Sequence, residues 1–276
     1  MKVHYQIGFI GMGVLLALNT AHAGLVAQYL FNEGSGTTVA NSGSAGSSGN
    51  LSLGGSPAAV FSAAGFTPNG SGHSMDNTAS PAASPGGYAQ TSASFDAVDN
   101  LSRATITGWM NVQVAASLAR LVDRADSSVG SDQWSLYIDG DTSKLQLNLG
   151  GTSYVSNSFL TTDQWIFFAV VINEDDGGNK IKFYSGDTLN AVTSRGVLSS
   201  TSPGLGDNSK KLTIGNRENA GRAFDGYLWD VRIYDEALSS AALETVRVSG
   251  IPEPATLGLI FLPAGILLSR RRLTKQ

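Results

Sequence analysis

The chain contains no cysteine among its 276 residues, which excludes disulfide bonds, thiolate catalysis and sulfur-ligated metal sites. Histidine is nearly as scarce, because only His73 remains outside residues 1–23. That leaves too few nitrogen ligands for a mononuclear zinc site. His73 lies in a Gly/Ser segment, so we interpret it as a loop residue and predict no nucleophilic triad.

Charge is scarce as well, with only 14% charged residues against 33 glycines, a composition typical of secreted β-proteins. Residues 24–250 hold 13 Lys and Arg but 21 Asp and Glu, a net charge of −8. Such an acidic body argues against nucleic-acid binding, because phosphates would not be neutralised. Its carboxylates do offer oxygen ligands for a cation such as calcium.

The N-terminus has the pattern of a secretory signal peptide. Lys2 precedes an apolar run over residues 7–18, and Ala21-His22-Ala23 supplies small residues around the cleavage position. We predict that residues 1–23 are removed by signal peptidase after Ala23. The alternative, a membrane anchor, requires a longer apolar run.

The C-terminus combines three features in order. Pro252-Glu253-Pro254 is followed by the apolar segment 255–268, and then by Arg270, Arg271 and Arg272 in the basic tail 270–275. Such a tail stops in a bilayer with its arginines on the cytoplasmic side. Its apolar segment covers only about 21 Å of a hydrocarbon core of about 30 Å, which favours transient over permanent anchoring.

This order resembles the PEP-CTERM sorting signal of Gram-negative bacteria, with Ile251 in place of the more usual valine. The resemblance assigns residues 249–276 to sorting. It implies that an exosortase-type enzyme processes the tail at the inner membrane and that the protein reaches the cell surface or extracellular matrix. An ordinary C-terminal anchor is the alternative.

The body of the chain is predicted to form about ten strands joined by turns rich in Gly, Asp and Asn. Leu25–Asn32 is the first, and Ile166–Ile172 is apolar on both faces, as in a central strand between two layers. Residues 42–87 are Ser/Gly-rich and predict long loops with one or two weak strands. Antiparallel strands in this number predict an all-β fold with two sheets.

The segment from Phe224 to Ser239 is the most regular part. Its alternation predicts one buried face with Tyr227, Trp229, Val231 and Ile233, and an opposite face with Asp230 and Arg232. A short C-terminal helix should follow, with Ser239 as its N-cap and a hydrophobic staple formed by Leu238 and Leu243.

The series TITGWM, DQWIFFAVVI, GNKIKFYSGD, LTIGN and FDGYLWDVRIYDEALS resembles laminin-G-like domains over residues 24–248. The resemblance implies a concanavalin A-like antiparallel jelly-roll sandwich, although pentraxin-like or legume-lectin-like topologies share the pattern. It also implies a structural calcium between the neighbourhood of Asn41 and Asp230. The alternative is that Asp230 faces water or pairs with Arg232 or Arg217.

No catalytic carboxylate pair is evident. Retaining glycosidases on this kind of sandwich need two close carboxylates, as in E-x-D-x-x-E. The nearest match, Glu174-Asp175-Asp176, ends in Asn179 where the last acid belongs, and it lies in a Gly-rich turn. We therefore predict that the chain is not an enzyme.

Carbohydrate binding requires exposed aromatic rings, for which Trp134, Tyr154 and Tyr88 are candidates, while Trp109, Trp165 and Trp229 are predicted to lie in the core. The leading hypothesis is a secreted, surface-sorted, non-catalytic binding or matrix protein that engages extracellular polysaccharide. The alternatives are a glycoside hydrolase or lyase with unrecognised catalytic residues, and a purely structural biofilm component.

Overall fold

The structure, a computed structural model, describes residues 24–126, 129–199 and 204–251. The predicted signal peptide, the Pro252-Glu253-Pro254 motif, the apolar segment and the basic tail all lie outside these residues. Within them, no helix is both long and apolar enough to cross a membrane.

The described part of the chain forms sixteen strands and one α-helix. They are β1 (Leu25–Tyr29), β2 (Thr38–Val39), β3 (Leu51–Gly54), β4 (Val60–Phe61), β5 (Met75–Asp76), β6 (Tyr88–Thr91), β7 (Arg103–Val114), β8 (Arg120–Arg124), β9 (Trp134–Ile138), β10 (Leu145–Leu149), β11 (Thr152–Val155), β12 (Trp165–Asn173), β13 (Ile181–Asp187), β14 (Thr193–Leu198), β15 (Thr213–Ile214), β16 (Asp225–Tyr234) and α1 (Ser240–Ser249).

These strands build two eight-stranded sheets. Sheet 1 has the order β14-β13-β12-β7-β16-β5-β4, with β1 also paired to β16, and sheet 2 has the order β11-β10-β9-β8-β15-β6-β3-β2. The pairings within both sheets are antiparallel. The predicted all-β, two-sheet antiparallel jelly-roll sandwich with one short C-terminal helix is confirmed.

Strand β12 shows why its sequence is apolar on both faces. Phe168, Val170 and Ile172 pack into the core between the two sheets, which also contains Trp134 and Ile106. The intervening residues, such as Phe167 and Val171, belong to a second apolar cluster on the outer side of sheet 1. The predicted central strand is confirmed, and it separates two cores.

Helix α1 covers that second cluster. The Ser239 side chain accepts a hydrogen bond from the Ala242 amide at 3.2 Å, which confirms it as the N-cap. Leu238 and Leu243 are both buried against Trp109 and its neighbours. The residues predicted to staple the helix therefore also attach it to sheet 1.

The predicted alternation along β16 is wrong in one respect. Tyr227 and Trp229 face outward from sheet 1, and Trp229 packs under α1, whereas Val231 and Ile233 face the core between the sheets. The side changes at Asp230, which has a φ of +47° and lies where the register between β16 and β7 shifts. This β-bulge inserts one residue and reverses the facing of those that follow.

Residues 42–87 are more ordered than their composition suggests. They contain three short strands, β3 to β5, and a 3-10 turn at Gly46–Gly49. β3 joins sheet 2 through β6, while β4 and β5 extend sheet 1 beyond β16. The structure thus has three short strands here, where one or two were predicted, and they widen both sheets.

Candidate functional site

The predicted calcium residues lie near each other, linked through Gln28 of β1. The Asn41 side-chain oxygen accepts from the backbone amides of Gln28 and Gly43, both at 2.9 Å. The Gln28 side-chain amide donates to Asp230 Oδ1 at 2.8 Å. The structure therefore brings these residues to one place, where Gln28 connects them.

Asp230 is paired with Arg232, which is one of the alternatives that the sequence left open. Arg232 Nε donates to Asp230 Oδ1 at 2.8 Å and its Nη2 to Oδ2 at 2.6 Å, while Asp230 is only 2% exposed. Burial disfavours the Arg232 charge, but the hydrogen bonds and charge of Asp230 raise its pKa above the ordinary value. Arg232 is therefore charged at neutral pH.

This donor set does not fit a calcium ion. Calcium takes six to eight oxygen ligands, but the carboxylate oxygens of Asp230 already accept from Arg232 and Gln28, and a guanidinium lies against them. The Asn41 oxygen is likewise engaged. Over the residues described, no group of three or more His, Asp or Glu side chains is suited to hold a metal.

The acidic turn after β12 is an ion-pair network. Glu174 pairs with Lys180 at 3.0 Å, Asp175 with Arg103 at 3.5 Å, and Asp176 with Lys182. His73 lies in a loop where its Nδ1 is 2.7 Å from the Ser62 carbonyl oxygen. Neither place brings a nucleophile and a base together.

The structure buries and exposes different aromatic residues from those predicted. Trp134 and Tyr154, proposed as exposed rings, are buried in the core between the sheets. Trp165, predicted to be core, is half-buried, and its ring lies 5.9 Å from Phe66 and 6.5 Å from Tyr227. Position in a strand cannot distinguish these cases, because the inner face of one sheet and the outer face of the other share the same periodicity.

Two carboxylates lie beside this aromatic group. Asp76 of β5 stands opposite Tyr227 in the register, and Asp225 lies two residues before it on the same face of β16. Burial raises the pKa of Asp225, and the nearby charge of Asp76 adds to the shift. A carboxyl group with a raised pKa is a chemical feature that general acids share.

A cavity of about 370 Å³ opens at the β14 edge of the sandwich, within the range of small-molecule sites. Its lining comes from three segments: residues 159–166, the end of β13, and β14 with the turn before it. Arg195 is the extra residue of a β-bulge in β14, because Phe183 pairs with Gly196 and Tyr184 with Ser194.

The polar groups in this cavity are held in fixed positions. Arg195 Nε donates to Ser185 Oγ at 2.6 Å, and the guanidinium carbon lies 5.8 Å from the Phe159 ring centroid. Asp187 accepts three hydrogen bonds at 2.7 Å from Leu189 and Asn190. Burial opposes its ionisation, but these bonds lower the pKa of Asp187 below its ordinary value, so it is charged at neutral pH.

The cavity therefore combines an aromatic ring with a fixed cation, a fixed anion and uncharged groups such as Gln164 and Thr193. Because the cavity offers both donors and acceptors and its two charges are of opposite sign, it matches a neutral polyhydroxyl molecule better than a highly charged ligand. These residues were not predicted, because the sequence T-S-R-G-V-L of β14 has no alternating apolar pattern. The glycine after Arg195, at φ +140°, was the available signal for a bulge.

A buried carboxylate lies on the outer face of sheet 2. Asp123 is 1% exposed, accepts a hydrogen bond from the Ser135 hydroxyl and another from the Ala125 amide at 3.2 Å. Its Oδ1 is 3.4 Å from Arg120 Nε. Burial raises the pKa of Asp123 to about 7 despite these contacts.

A family model described as "Concanavalin A-like lectin/glucanases superfamily" matches residues 84–244, more than half of the chain. A comparison with curated proteins found no match.

Solved structures show the same fold at low identity. Domain 4 of AbnA, a GH43 extracellular arabinanase from Geobacillus stearothermophilus, solved in complex with arabinotriose, has a TM-score of 0.57 at 15% identity, covering 80% of this chain and 97% of that domain. The binding domain of Paraclostridial Mosquitocidal Protein 1 has a TM-score of 0.56 at 14% identity, covering 82% and 52%. A botulinum neurotoxin type C structure, described as showing cell entry dependent on two ganglioside molecules, has a TM-score of 0.53 at 12% identity, covering 82% and 51%. The chain thus spans about half the length of the two toxin chains.

We predict that Asp230→Ala lowers the free energy of unfolding by about 3 kcal/mol, because it leaves Arg232 buried without its partner. Asp230→Asn should lower the free energy of unfolding by less, since it keeps an acceptor and tolerates the positive φ.

Because the oxygens of Asn41 and Asp230 are already engaged in hydrogen bonds, the melting temperature of the wild-type chain should be equal in calcium and in a chelator. A rise with calcium that Asp230→Ala abolishes would instead place an ion here.

We predict that the stability gained by Asp123→Asn depends on pH. Below about pH 4 the carboxyl group is protonated in both folded and unfolded chains, so its burial carries no ionisation cost. As the pH rises towards 7, the unfolded chain loses this proton while the folded chain keeps it, and the wild type loses stability relative to the variant. Urea unfolding at pH 4 and pH 7 measures the difference, with exposed Asp132→Asn as the control, and a pH-independent difference contradicts the buried-acid account.

Proposed function

The chain belongs to the concanavalin A-like lectin/glucanases superfamily, and we propose that it is a non-catalytic carbohydrate-binding module. The observation that carries the proposal is the cavity at β14, where Phe159, Arg195 and Asp187 surround a volume of about 370 Å³. A pyranose ring presents an apolar face and a rim of hydroxyl groups. The Phe159 ring would contact the first, and the charged and amide groups would hydrogen-bond the second.

Each cavity residue has a separate role in this proposal. The guanidinium of Arg195 donates to sugar hydroxyl oxygens, with its orientation fixed by Ser185. Asp187 accepts from sugar hydroxyls through lone pairs that its loop contacts leave available. Gln164, which is exposed, supplies both a donor and an acceptor at the rim.

The fold relatives support a binding role. The arabinanase domain was solved with arabinotriose, and the mosquitocidal relative is described as a binding domain. The proposal extends that role to this chain, with a neutral hexose or pentose polymer as the ligand class. A purely structural matrix protein without a sugar ligand is the alternative, and binding of a neutral polysaccharide would exclude it.

The localisation of the protein is part of the proposal. The signal peptide over residues 1–23 and the sorting signal over residues 249–276 would export the chain and hold it briefly at the inner membrane. An exosortase-type enzyme would then release it to the cell surface or matrix, where exopolysaccharide is the available ligand.

We predict that Arg195→Ala weakens binding of the full chain to neutral soluble polysaccharides by about tenfold, because it removes a charged donor from the cavity. Affinity electrophoresis against arabinan, galactan and glucan measures the change. The matched control is Arg103→Ala, since Arg103 is an exposed arginine on the same sheet and pairs with the exposed Asp175. Equal binding by wild type and Arg195→Ala would move the site elsewhere, and no binding to any neutral glycan would refute the proposal.

A glycoside hydrolase is the second candidate, favoured by the raised pKa of Asp225 beside Asp76 and the aromatic group of Phe66, Trp165 and Tyr227. We expect no reducing ends to be released when the chain is incubated with the same polysaccharides. Release that disappears in Asp225→Asn, but persists in Asp132→Asn, would identify an enzyme and overturn the non-catalytic assignment.

A further inference from the structure

A row of outward-facing residues crosses four neighbouring strands of sheet 1. In the strand register, Trp165 of β12 stands opposite Asn111 of β7, Asn111 opposite Tyr227 of β16, and Tyr227 opposite Asp76 of β5. Neighbouring strands lie about 4.8 Å apart, so the three steps of this row span about 14 Å. The row is aromatic at its β12 end and acidic at its β5 end.

The aromatic group of Phe66, Trp165 and Tyr227 forms an open surface over this row. The Phe66 ring centroid lies 4.2 Å from that of Tyr227 and 5.9 Å from that of Trp165. Phe66 is nevertheless 38% exposed, and the other two rings are only half-buried. A ligand can therefore reach this group from solvent without entering a cavity.

Exposed apolar side chains also flank the two carboxylates. Val60 stands opposite Asp76 on β4, Val114 stands opposite Asp225 on β7, and both valines are more than half exposed. Together with Phe66 they make up three of the six large apolar side chains that are exposed in the described part of the chain. Exposed apolar residues that gather around polar groups mark a binding surface.

The two carboxylates have no positively charged partner. Asp225 is 9% exposed, yet among the described residues its carboxylate accepts no hydrogen bond and forms no ion pair. Asp76 Oδ1 accepts from the Thr78 amide at 2.9 Å and from its hydroxyl at 2.8 Å, which are both neutral donors. Diagonal neighbours on paired strands lie roughly 7–8 Å apart, so the two negative charges repel each other. A cation placed between them would remove this repulsion.

A metal ion does not fit this place. Two carboxylates fall short of the six to eight oxygen ligands that calcium takes, and the residues around them are largely apolar. Within residues 24–126, 129–199 and 204–251, no group of three acidic or histidine side chains is suited to a metal. An organic ammonium group fits better, because it can bind a carboxylate and also lie over an aromatic ring.

We propose that this surface binds a polysaccharide whose sugars carry free amino groups, such as glucosamine with an unacetylated nitrogen. The ammonium group lies between Asp76 and Asp225, and the apolar face of the sugar packs on the aromatic group. This site is separate from the β14 cavity. The inference deepens the proposed function, on which it rests, by adding a cationic class of sugar ligand.

The polar groups along the row favour a sugar over the lysine side chain of a protein. Gln113, which is half-buried next to Val114, donates to Asn111 Oδ1 at 2.8 Å. Amide groups therefore lie between the acidic and the aromatic ends of the row. A sugar chain presents hydroxyl groups to such amides, whereas the methylene stem of lysine has none to offer.

The test compares two oligosaccharides that differ only in the acetyl group on nitrogen. A glucosamine hexamer and an N-acetylglucosamine hexamer are each titrated into the full chain by calorimetry at about pH 6.5, where amines are protonated. We expect the glucosamine hexamer to bind more tightly, and its affinity to fall about tenfold in Asp225→Asn. Asp132→Asn, which removes an exposed carboxylate elsewhere, should leave the affinity unchanged.

Three further measurements separate this site from folding effects and from the β14 cavity. The melting temperature of Asp225→Asn without ligand should be no lower than that of the wild type, because the variant removes a like-charge repulsion. Phe66→Leu keeps an exposed apolar side chain but removes the aromatic face, so it should weaken binding of the glucosamine hexamer. Arg195→Ala should leave that binding in place.

Four results would overturn the inference. Equal affinity for the two hexamers would show that the amino group is not recognised. Unchanged binding in Asp225→Asn would place the ammonium group elsewhere on this acidic chain. Equally strong binding of hexalysine would show a cation site without sugar recognition, and so favour a protein partner. Loss of binding in Arg195→Ala but not in Asp225→Asn would move the ligand to the β14 cavity.

The inference and the proposed function can fail separately. If neither hexamer binds while neutral polysaccharides still bind through Arg195, the inference is wrong and the proposed function stands. If the glucosamine hexamer binds through Asp225 while no neutral polysaccharide binds, the β14 site is wrong and the inference stands. If no glycan of either kind binds, both are refuted.

Discussion

The carboxylate of Asp230 stabilises the β-bulge in strand β16, and the two-core structure depends on this bulge. Strand β16 pairs with β1, β7 and β5, so it joins the start of the chain to the centre and the edge of sheet 1. At the bulge, Asp230 binds Arg232 and Gln28 and keeps a positive φ that costs free energy in a non-glycine residue. Because the facing of the strand reverses there, Trp229 packs under the helix while Val231 packs between the sheets.

This arrangement decides which faces remain available for ligands. Helix α1 covers the outer side of sheet 1 around Trp109, so the aromatic group near Phe66 and the β14 cavity lie outside the covered area. Sheet 2 has no helix on its outer face within the described residues, and the buried carboxylate of Asp123 lies there. The outer faces of the two sheets therefore differ: sheet 1 carries an apolar cluster and an aromatic group, and sheet 2 carries a buried carboxylate bound by the Ser135 hydroxyl.

The sequence predicted the parts of the fold that depend on local patterns. The doubly apolar β12, the N-cap Ser239 and the paired leucines Leu238 and Leu243 follow from periodicity and capping, which are local properties. The reversal in β16 did not follow, because a bulge at Asp230 depends on partners such as Gln28 that are 202 positions away. The weak strands within residues 42–87 were only outlined for the same reason.

The candidate site was less predictable than the fold. The family resemblance implied a calcium ion between Asn41 and Asp230, and only the structure shows that hydrogen-bond donors occupy their oxygens. Whether Trp134 or Trp165 is exposed depends on which layer covers each strand, and sequence periodicity does not carry that information. Arg195 lies in a bulge without an apolar pattern, and only tertiary contacts bring it to the cavity.

We propose that sugars bind this chain at a defined cavity and that the sandwich is non-catalytic. Amide chemical-shift mapping of the isotope-labelled chain during titration with a neutral oligosaccharide tests it most directly. We expect the shifted amides to concentrate at Gln164, Asn190 and Arg195, around the β14 cavity, while the amide of Asp225 stays unchanged. Shifts centred on Asp76 and Asp225, or no shifts at saturating ligand, would contradict it.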